Sequence, residues 1–301
     1  MKLLVTGAAR PDECIFDLLK AKGHDPVFLQ NESDELPVSY GDVDGVICNG
    51  LFFHHPIEKF TSLRYIQLTS AGFDRVPMDH VRDHNIRIHN AAGVYSIPMA
   101  EFAVTAVLGL YKKWDHFRRC QADHSWEKHR GLMELYGKTV CIVGCGNVGT
   151  ECAKRFGAFG CNVLGVDLYP RDSEYFRKMF PVTELLTAVS CADVVVLTLP
   201  LTDETKHIIS KTVLDSLKDG CVLVNIARGA IINTECLINA LREKGLYAVL
   251  DVFEEEPLSA VSPLWDMKNV IITPHNSFVG EGNHERLWRV ILDNLKALEH
   301  I

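Results

Sequence analysis

Residues 139–149 read Thr139-Val140-Cys141-Ile142-Val143-Gly144-Cys145-Gly146-Asn147-Val148-Gly149. The apolar run Val140 to Val143 has the length and composition of a buried parallel strand. It ends in three glycines at G-x-G-x-x-G spacing, and the stretch from Val148 to Phe159 carries helical apolar spacing without proline. Each glycine has a separate task. Gly144 makes the tight turn, Gly146 lets a pyrophosphate approach the backbone, and Gly149 lets helix and strand pack closely. The helix that starts there offers unpaired N–H groups and the positive end of its dipole to phosphate.

The motif alone is weak, so its context decides. A second strand, Cys161 to Val166, follows and ends at Asp167, eighteen residues after Gly149. A carboxylate there can accept from both hydroxyls of an adenosine ribose and repels a 2′-phosphate, which favours NAD over NADP. Arg171 stands close by and is the residue that could accommodate a 2′-phosphate instead. Strand, turn, helix, strand and acid in this order imply a dinucleotide site.

The 301-residue chain is long enough for two domains with separate cores. Its 47% apolar and 23% charged content is ordinary for a globular protein. A net charge of −8 and a pI near 5.9 speak against nucleic acid and anionic membranes as partners. The ten cysteines are scattered without a C-x-x-C pair, and several lie in strand-like runs. They read as small buried hydrophobes in a reducing, cytoplasmic setting, with Cys145 the one expected to be reachable, because it lies in the turn. The apolar start Leu3 to Val5 is too short for a signal peptide and reads as a strand. The most apolar helix, Pro98 to Tyr111, contains Glu101 and is too short to span a bilayer. The adjacent pair His54-His55 lacks a third ligand at useful spacing, so no metal site is expected.

Two series of strands and helices follow one another. The first places strands at Leu3–Thr6, Pro26–Leu29, Gly45–Asn49, Tyr65–Thr69 and Ile86–His89, with helices over Asp12–Lys22 and Asp79–His84. A long helical region runs from Ser96, as N-cap, to about Arg119. The second series begins at Thr139, with further strands at Val194–Leu199, Val222–Ile226, Tyr247–Leu250 and Val270–Thr273 and a helix over Asn233–Lys244. An amphipathic helix over Asn283–Glu299 closes the chain. Alternation of apolar strands with helices predicts α/β architecture: two doubly wound parallel-sheet domains. The expected division is residues 1–93 plus 281–301 for one domain and 94–280 for the other, with ligand bound in the cleft between them at the carboxyl ends of the strands.

Three later strands end in polar residues: Asn225-Ile226-Ala227-Arg228-Gly229, Asp251-Val252-Phe253-Glu254-Glu255-Glu256-Pro257, and Thr273-Pro274-His275. Strand ends of one parallel sheet converge on a crevice. A guanidinium there can bind a carboxylate and polarise a carbonyl. An imidazolium can give a proton to a developing alkoxide, and a carboxylate bonded to it favours the charged form and fixes its orientation.

With these segments in view, the chain resembles the D-isomer-specific 2-hydroxyacid dehydrogenase family over almost its whole length. The likeness extends to Leu68-Thr69-Ser70-Ala71-Gly72-Phe73-Asp74, Ala92-Gly93 through Glu101, Glu134-Leu135-Tyr136-Gly137-Lys138-Thr139, and Leu199-Pro200-Leu201-Thr202. The resemblance implies a flavodoxin-like substrate domain and a Rossmann NAD-binding domain. It implies Arg228, Glu256 and His275 as the catalytic set. Cofactor contacts fall on Gly144, Gly146, Asn147, Val148, Gly149, Asp167, Leu199, Pro200, Ala227, Asp251 and His275. The substrate, a small 2-oxo or 2-hydroxy acid, falls to Arg228 and the Ala71-Gly72 backbone. A homodimer is also implied, with the long helix after Ser96 and the segment Trp114 to Trp126 as candidate contacts.

The chain departs from the family in two places. Asn276-Ser277-Phe278-Val279-Gly280 replaces the usual small residues after His275. Leu51, Phe52 and Phe53 crowd the loop where the family tunes substrate choice, so Phe52 is expected to form an apolar wall. Formate dehydrogenase, a relative, resembles a Gln–His pairing, against which Glu256 speaks. The alternatives are an NADP-preferring glyoxylate or hydroxypyruvate reductase, and an NAD(H)-responsive, co-repressor-like protein that binds partners. The lack of a further domain after the last helix speaks against a feedback-regulated biosynthetic form.

Overall fold

A computed structural model describes residues 1–298 and divides the chain into two compact units. The first comprises Met1–Tyr95 and the chain from Gly280 onward, and the second Ser96–Val279. The expected helix end at Glu299, and the last residues of the segment 281–301, lie outside the described residues.

The first unit is built on five parallel strands, β1 (Lys2–Thr6), β2 (Asp25–Leu29), β3 (Gly45–Cys48), β4 (Tyr65–Leu68) and β5 (Arg87–His89), in the order β2-β1-β3-β4-β5. That is the flavodoxin-like order, with its switch point between β1 and β3. Two helices accompany them, α1 (Glu13–Ala21) and α2 (Met78–Asp83). α1 starts where the Asp12 carboxylate accepts the Ile15 N–H at 2.9 Å, an ordinary N-cap. The central strands β1, β3 and β4 are buried on both faces, so alternate residues feed different cores. Leu4, Val46, Cys48, Ile66 and Leu68 enter one, while Leu3, Val5, Ile47 and Tyr65 enter the other.

The second unit opens with α3 (Ser96–Tyr111) and α4 (Trp114–Ala122). The sequence reading joined these into one helix. Lys113 takes a left-handed conformation (φ 53°), which breaks the helical ladder, and Tyr111 instead gives its carbonyl to the Met133 N–H. Ser96 is the first residue of α3 and buried within it, not a cap ahead of it.

Beyond these helices a seven-stranded parallel sheet forms from β6 (Thr139–Val143), β7 (Asn162–Asp167), β8 (Lys178–Pro181), β9 (Val194–Leu197), β10 (Val222–Asn225), β11 (Tyr247–Leu250) and β12 (Val270–Ile272). Helices α5 (Asn147–Ala158), α6 (Leu185–Ser190), α7 (Lys211–Ser216) and α8 (Thr234–Glu243) connect them. The order β12-β11-β10-β9-β6-β7-β8 is the Rossmann winding with one added strand, and the order reverses between β6 and β9. Again the residues alternate: Val140 and Ile142 join one core with α3 and α5, and Cys141 and Val143 the other. The short β8, α6 and α7 were not foreseen; with four to six residues each, they carry too little periodicity to be read.

The last helix, α9 (Asn283–Leu298), returns to the first unit. Its Leu287, Trp288, Ile291 and Leu295 lie at i, i+1, i+4 and i+8 and fill the core that holds Leu3, Val5 and Tyr65. Trp288 is buried and donates its indole N–H to the Ala9 carbonyl at 3.0 Å. Asn294 donates to the Gln67 side chain on β4 at 2.9 Å. No helix among the described residues is long and apolar enough to cross a membrane. Truncating Trp288 removes the largest apolar group that ties α9 to the sheet. Trp288→Ala is expected to cost about 3–5 kcal/mol, read as a lower urea midpoint, with Trp288→Phe retaining more than half of that difference.

Candidate active site

The glycine turn sits where the strand order reverses. Gly144 follows β6 with φ +96°, a left-handed conformation that favours glycine, and its N–H donates to the Val166 carbonyl at 2.8 Å. A Cβ on Gly144 would lie 2.5 Å from the Leu199 nitrogen, and one on Gly149 would lie 2.1 Å from the Gly144 oxygen. Both glycines are therefore demanded by the packing of turn, helix and neighbouring strand. Gly146 differs: nothing lies within 4 Å of the position its Cβ would take. The open space lies at the start of α5, beside exposed Asn147 and half-buried Val148, and leaves room for a phosphate at the helix N-terminus. Leu199, buried, and Pro200, exposed, follow β9 on the other side of the switch point. Thr198 links the two by donating its hydroxyl to the Gly144 carbonyl at 2.5 Å.

Asp167 ends β7. Its Oδ2 accepts the Cys145 N–H at 2.7 Å and its Oδ1 the Tyr169 N–H at 3.1 Å, so the carboxylate is held beside the turn with lone pairs left for ribose hydroxyls. The open cradle at Gly146 and this oriented acid fit a dinucleotide. Cys145 does not behave as expected. Its backbone faces the turn, but its side chain is buried, with the thiol directed at the Ile142 and Val166 carbonyls at 3.6 Å each. Burial, aided by the Asp167 carboxylate, pushes this thiol up to about 12, so it is not poised as a thiolate.

Arg228, Asp251 and His275 follow three adjacent parallel strands, β10, β11 and β12. Asn225, buried at the end of β10, accepts the Ala227 N–H at 3.1 Å and donates to the Arg228 carbonyl at 3.0 Å. This shapes the turn that presents Arg228, which is half-buried and donates from Nη1 to the Ala227 carbonyl at 2.8 Å. A Cβ on the next residue, Gly229, would lie 1.8 Å from the Phe253 carbonyl carbon. The arginine turn thus rests directly against the backbone of the acidic loop.

In that loop Glu256 Oε1 accepts the Phe253 N–H at 3.0 Å, while Oε2 stands 2.8 Å from His275 Nδ1. An ionised carboxylate can only accept, so Nδ1 carries the proton and Nε2 is left for chemistry. Both side chains are more than a third exposed (39% for His275 and 36% for Glu256), hence reachable. Glu254, whose part as a rival partner the sequence left open, is engaged elsewhere: it pairs with His207 and accepts the Thr234 N–H at 3.1 Å. Burial alone would raise its pKa, but the Thr234 and His207 hydrogen bonds outweigh it and hold it below the usual glutamate value.

Asp251, which the resemblance assigns to the cofactor, is fully buried (0% exposed). Its Oδ1 accepts from the Thr273 hydroxyl at 2.6 Å and the Asn276 N–H at 2.8 Å, and its Oδ2 from the Ser277 N–H at 3.0 Å. Its carbonyl accepts the His275 N–H at 2.8 Å. Asp251 therefore supports the histidine loop, in which His275 itself is left-handed (φ 50°). The part of Asn225 and Thr273 in this scaffold escaped the sequence reading; the only signal was a polar residue closing an apolar strand.

In the first unit, Ala71 and Gly72 follow β4. Ala71 is exposed, its carbonyl accepting from the Asn90 amide at 2.6 Å, and the Ser70 hydroxyl donates to the Gly72 carbonyl at 3.2 Å. Phe52 is half-buried, its ring packed edge-on against Phe60, 6.0 Å between centres, beside the core. Phe53 is the outward aromatic, 68% exposed. Both lie on a short 3₁₀ turn, where neighbouring side chains point about 120° apart. Glu32 holds this loop, accepting the Asn49 and Gly50 N–H groups at 2.6 Å each and the Thr6 hydroxyl at 2.8 Å. The two adjacent histidines likewise diverge: His54 is exposed, whereas His55 is buried with Nδ1 2.8 Å from the Tyr40 hydroxyl. One cluster of metal-ligating side chains does occur among the described residues, at His116, Cys120 and Glu127, where the sequence reading expected none.

Comparison with known proteins places this architecture. Residues 104–277 match the family model of the D-isomer specific 2-hydroxyacid dehydrogenase NAD binding domain. A D-3-phosphoglycerate dehydrogenase of Methanocaldococcus jannaschii is 30% identical over 99% of this chain; the chain spans 57% of that protein's length. A glyoxylate reductase of Thermofilum pendens is 30% identical over 88% of this chain and 81% of its own. The solved structure of a D-isomer specific 2-hydroxyacid dehydrogenase family protein from Aeromonas salmonicida superposes with a TM-score of 0.83 at 30% identity, covering 99% of this chain and 95% of that one. This chain belongs to the D-isomer specific 2-hydroxyacid dehydrogenase family and carries that family's NAD-binding domain.

Proposed function

We propose that the chain interconverts a small 2-oxo acid and the corresponding D-2-hydroxy acid with NAD(H). The observation that carries this reading is the hydrogen bond of Glu256 to His275 Nδ1, set beside the Arg228 turn on adjoining strand ends. When bound, NAD supplies the hydride acceptor or donor. In reduction, negative charge develops on the carbonyl oxygen, and His275 Nε2 gives that oxygen its proton. In oxidation the same nitrogen takes the proton from the hydroxyl. Glu256 holds the ring in the orientation that presents Nε2 and compensates the positive charge it carries as imidazolium. Arg228 binds the substrate carboxylate and polarises the carbonyl. Asp167 selects NAD by accepting from the ribose hydroxyls. The outward ring of Phe53, not Phe52, serves as the apolar wall that ranks substrates by side chain. Ten unpaired thiols support a reducing, cytoplasmic compartment.

We also infer a homodimer. Trp126 (95% exposed), Trp114 (63%) and the mostly exposed Tyr136 leave a large aromatic surface on one segment, which a second copy of the chain would cover. Light scattering is expected to give twice the chain mass, and a monomer at working concentration would end this reading.

The catalytic assignment is tested by NADH oxidation, with NADPH in parallel, across 2-oxo acids from glyoxylate to phenylpyruvate. Turnover is expected with NADH, falling by roughly 10²–10⁴-fold in His275→Gln with NADH affinity unchanged. Phe53→Ala is expected to reorder the acids and Phe52→Ala to leave the order alone. Tight NADH binding without turnover of any acid would instead favour a sensing or partner-binding protein. The two glycines should separate binding from folding. Gly149→Ala must displace backbone and is expected to lower the melting temperature, whereas Gly146→Ala should leave it unchanged and weaken NADH in a fluorescence titration.

A further inference from the structure

We propose that His116, Cys120 and Glu127 form a binding site for a zinc-class divalent cation on the second unit, with three protein ligands and a fourth position left to water. His116 and Cys120 lie four residues apart on α4 and so share one face of the helix. After the helix, His124 takes a left-handed conformation (φ 52°) and turns the chain back, which brings Glu127 to the same face. One ligand atom from each residue lies within 4.8 Å of the other two.

The distances suit the ion. Nitrogen and sulfur bound to one tetrahedral zinc at about 2.1 and 2.3 Å stand roughly 3.6 Å apart. His116 Nε2 and Cys120 Sγ are 3.5 Å apart. Glu127 is exposed and can swing the remaining ångström, while Cys120 is buried and fixed. The contact of Cys120 is also unlike that of other cysteines in the chain. Cys145, Cys161 and Cys191 direct their thiols at backbone carbonyls, whereas Cys120 meets an imidazole nitrogen. His129 packs its ring 5.2 Å from that of His116, yet its Nδ1 accepts the Gly131 N–H at 3.1 Å. Its Nε2 then carries the proton, so His129 lines the site without ligating. The site borders a cavity lined by Phe117, Cys120, His124, Trp126, Glu127 and His129, on the segment that the inferred homodimer would also use.

A thiolate, an imidazole and a carboxylate select a borderline-soft ion such as Zn²⁺ over Mg²⁺ or Ca²⁺, which take oxygen sets. Uptake is a ligand exchange: the Cys120 thiol loses its proton to solvent as the sulfur–metal bond forms, with no change of oxidation state. Affinity therefore falls as pH falls.

The test uses the full chain, stripped with a chelator and titrated with Co²⁺ as a spectroscopic probe, so it does not depend on the proposed catalytic activity. One equivalent is expected to bind, with a thiolate-to-cobalt charge-transfer band in the near ultraviolet that Zn²⁺ abolishes. Cys120→Ser should lose the band, and His116→Gln should weaken Co²⁺ by about 10–100-fold or more, with far-ultraviolet circular dichroism unchanged in both. No band in the unaltered chain would overturn the proposal. So would a band that survives Cys120→Ser, or Co²⁺ affinity unaltered in His116→Gln.

Discussion

The carboxylate of Asp251 lies completely inside the second unit, and the carboxyl edge of the sheet is organised around its hydrogen bonds. A buried polar group without partners is costly, and each donor left unpaired here would cost about 1–3 kcal/mol. The chain after β12 meets that demand by folding the Thr273 hydroxyl and the Asn276 and Ser277 N–H groups onto the two oxygens. To wrap a carboxylate so tightly the loop must turn sharply, and His275 is the residue at the turn, held left-handed between Asp251 below and Glu256 beside. The backbone of Asp251 also continues the ladder, its N–H donating to Asn225 and its carbonyl accepting from His275. Thus the ends of β10, β11 and β12 form one hydrogen-bonded unit, and the Arg228 turn, the acidic loop and the histidine turn cannot drift independently. Sites held in this way gain their precision from rigid elements and buried supports.

The features legible in the sequence are those whose constraint is local. The glycine turn could be read because each position answers to a contact within a few residues or on the next strand: Gly144 to its positive φ, Gly149 to the Gly144 oxygen. The parallel sheets could be read because strands buried on both faces need unbroken apolar runs. What escaped depends on side-chain direction or on chain reversal. Which of the neighbours Phe52 and Phe53 packs beside the core and which faces outward is a matter of side-chain direction, and composition carries no such information. The resemblance names Asp251 but says nothing of its burial, and the support it gives the histidine loop comes from hydrogen bonds that only the folded chain assembles. Lys113 and His124 both adopt left-handed backbone, a conformation their side chains do not advertise. The first split a helix that reads as continuous, and the second carried Glu127 back to His116 and Cys120.

The two units also differ in what they can discriminate. A guanidinium rejects a substrate that lacks the carboxylate, because its donors would then be left unpaired. An apolar ring such as Phe53 ranks side chains far more gently, at about 1–3 kcal/mol per methylene. The groups that define the acid as a class therefore need the rigid support found around Arg228 and His275. The group that ranks members of the class needs only a loop, and it sits on one: a single 3₁₀ turn whose position Glu32 fixes by gripping Asn49 and Gly50. Exposed Phe53 can be exchanged for another side chain without disturbing that grip, since Glu32 binds backbone N–H groups ahead of it, whereas Leu51 is fixed in the core. The loop that carries Phe53 and the hydrogen bonds that orient His275 belong to separate units, so a change of side chain in the first leaves the Glu256–His275 contact in place.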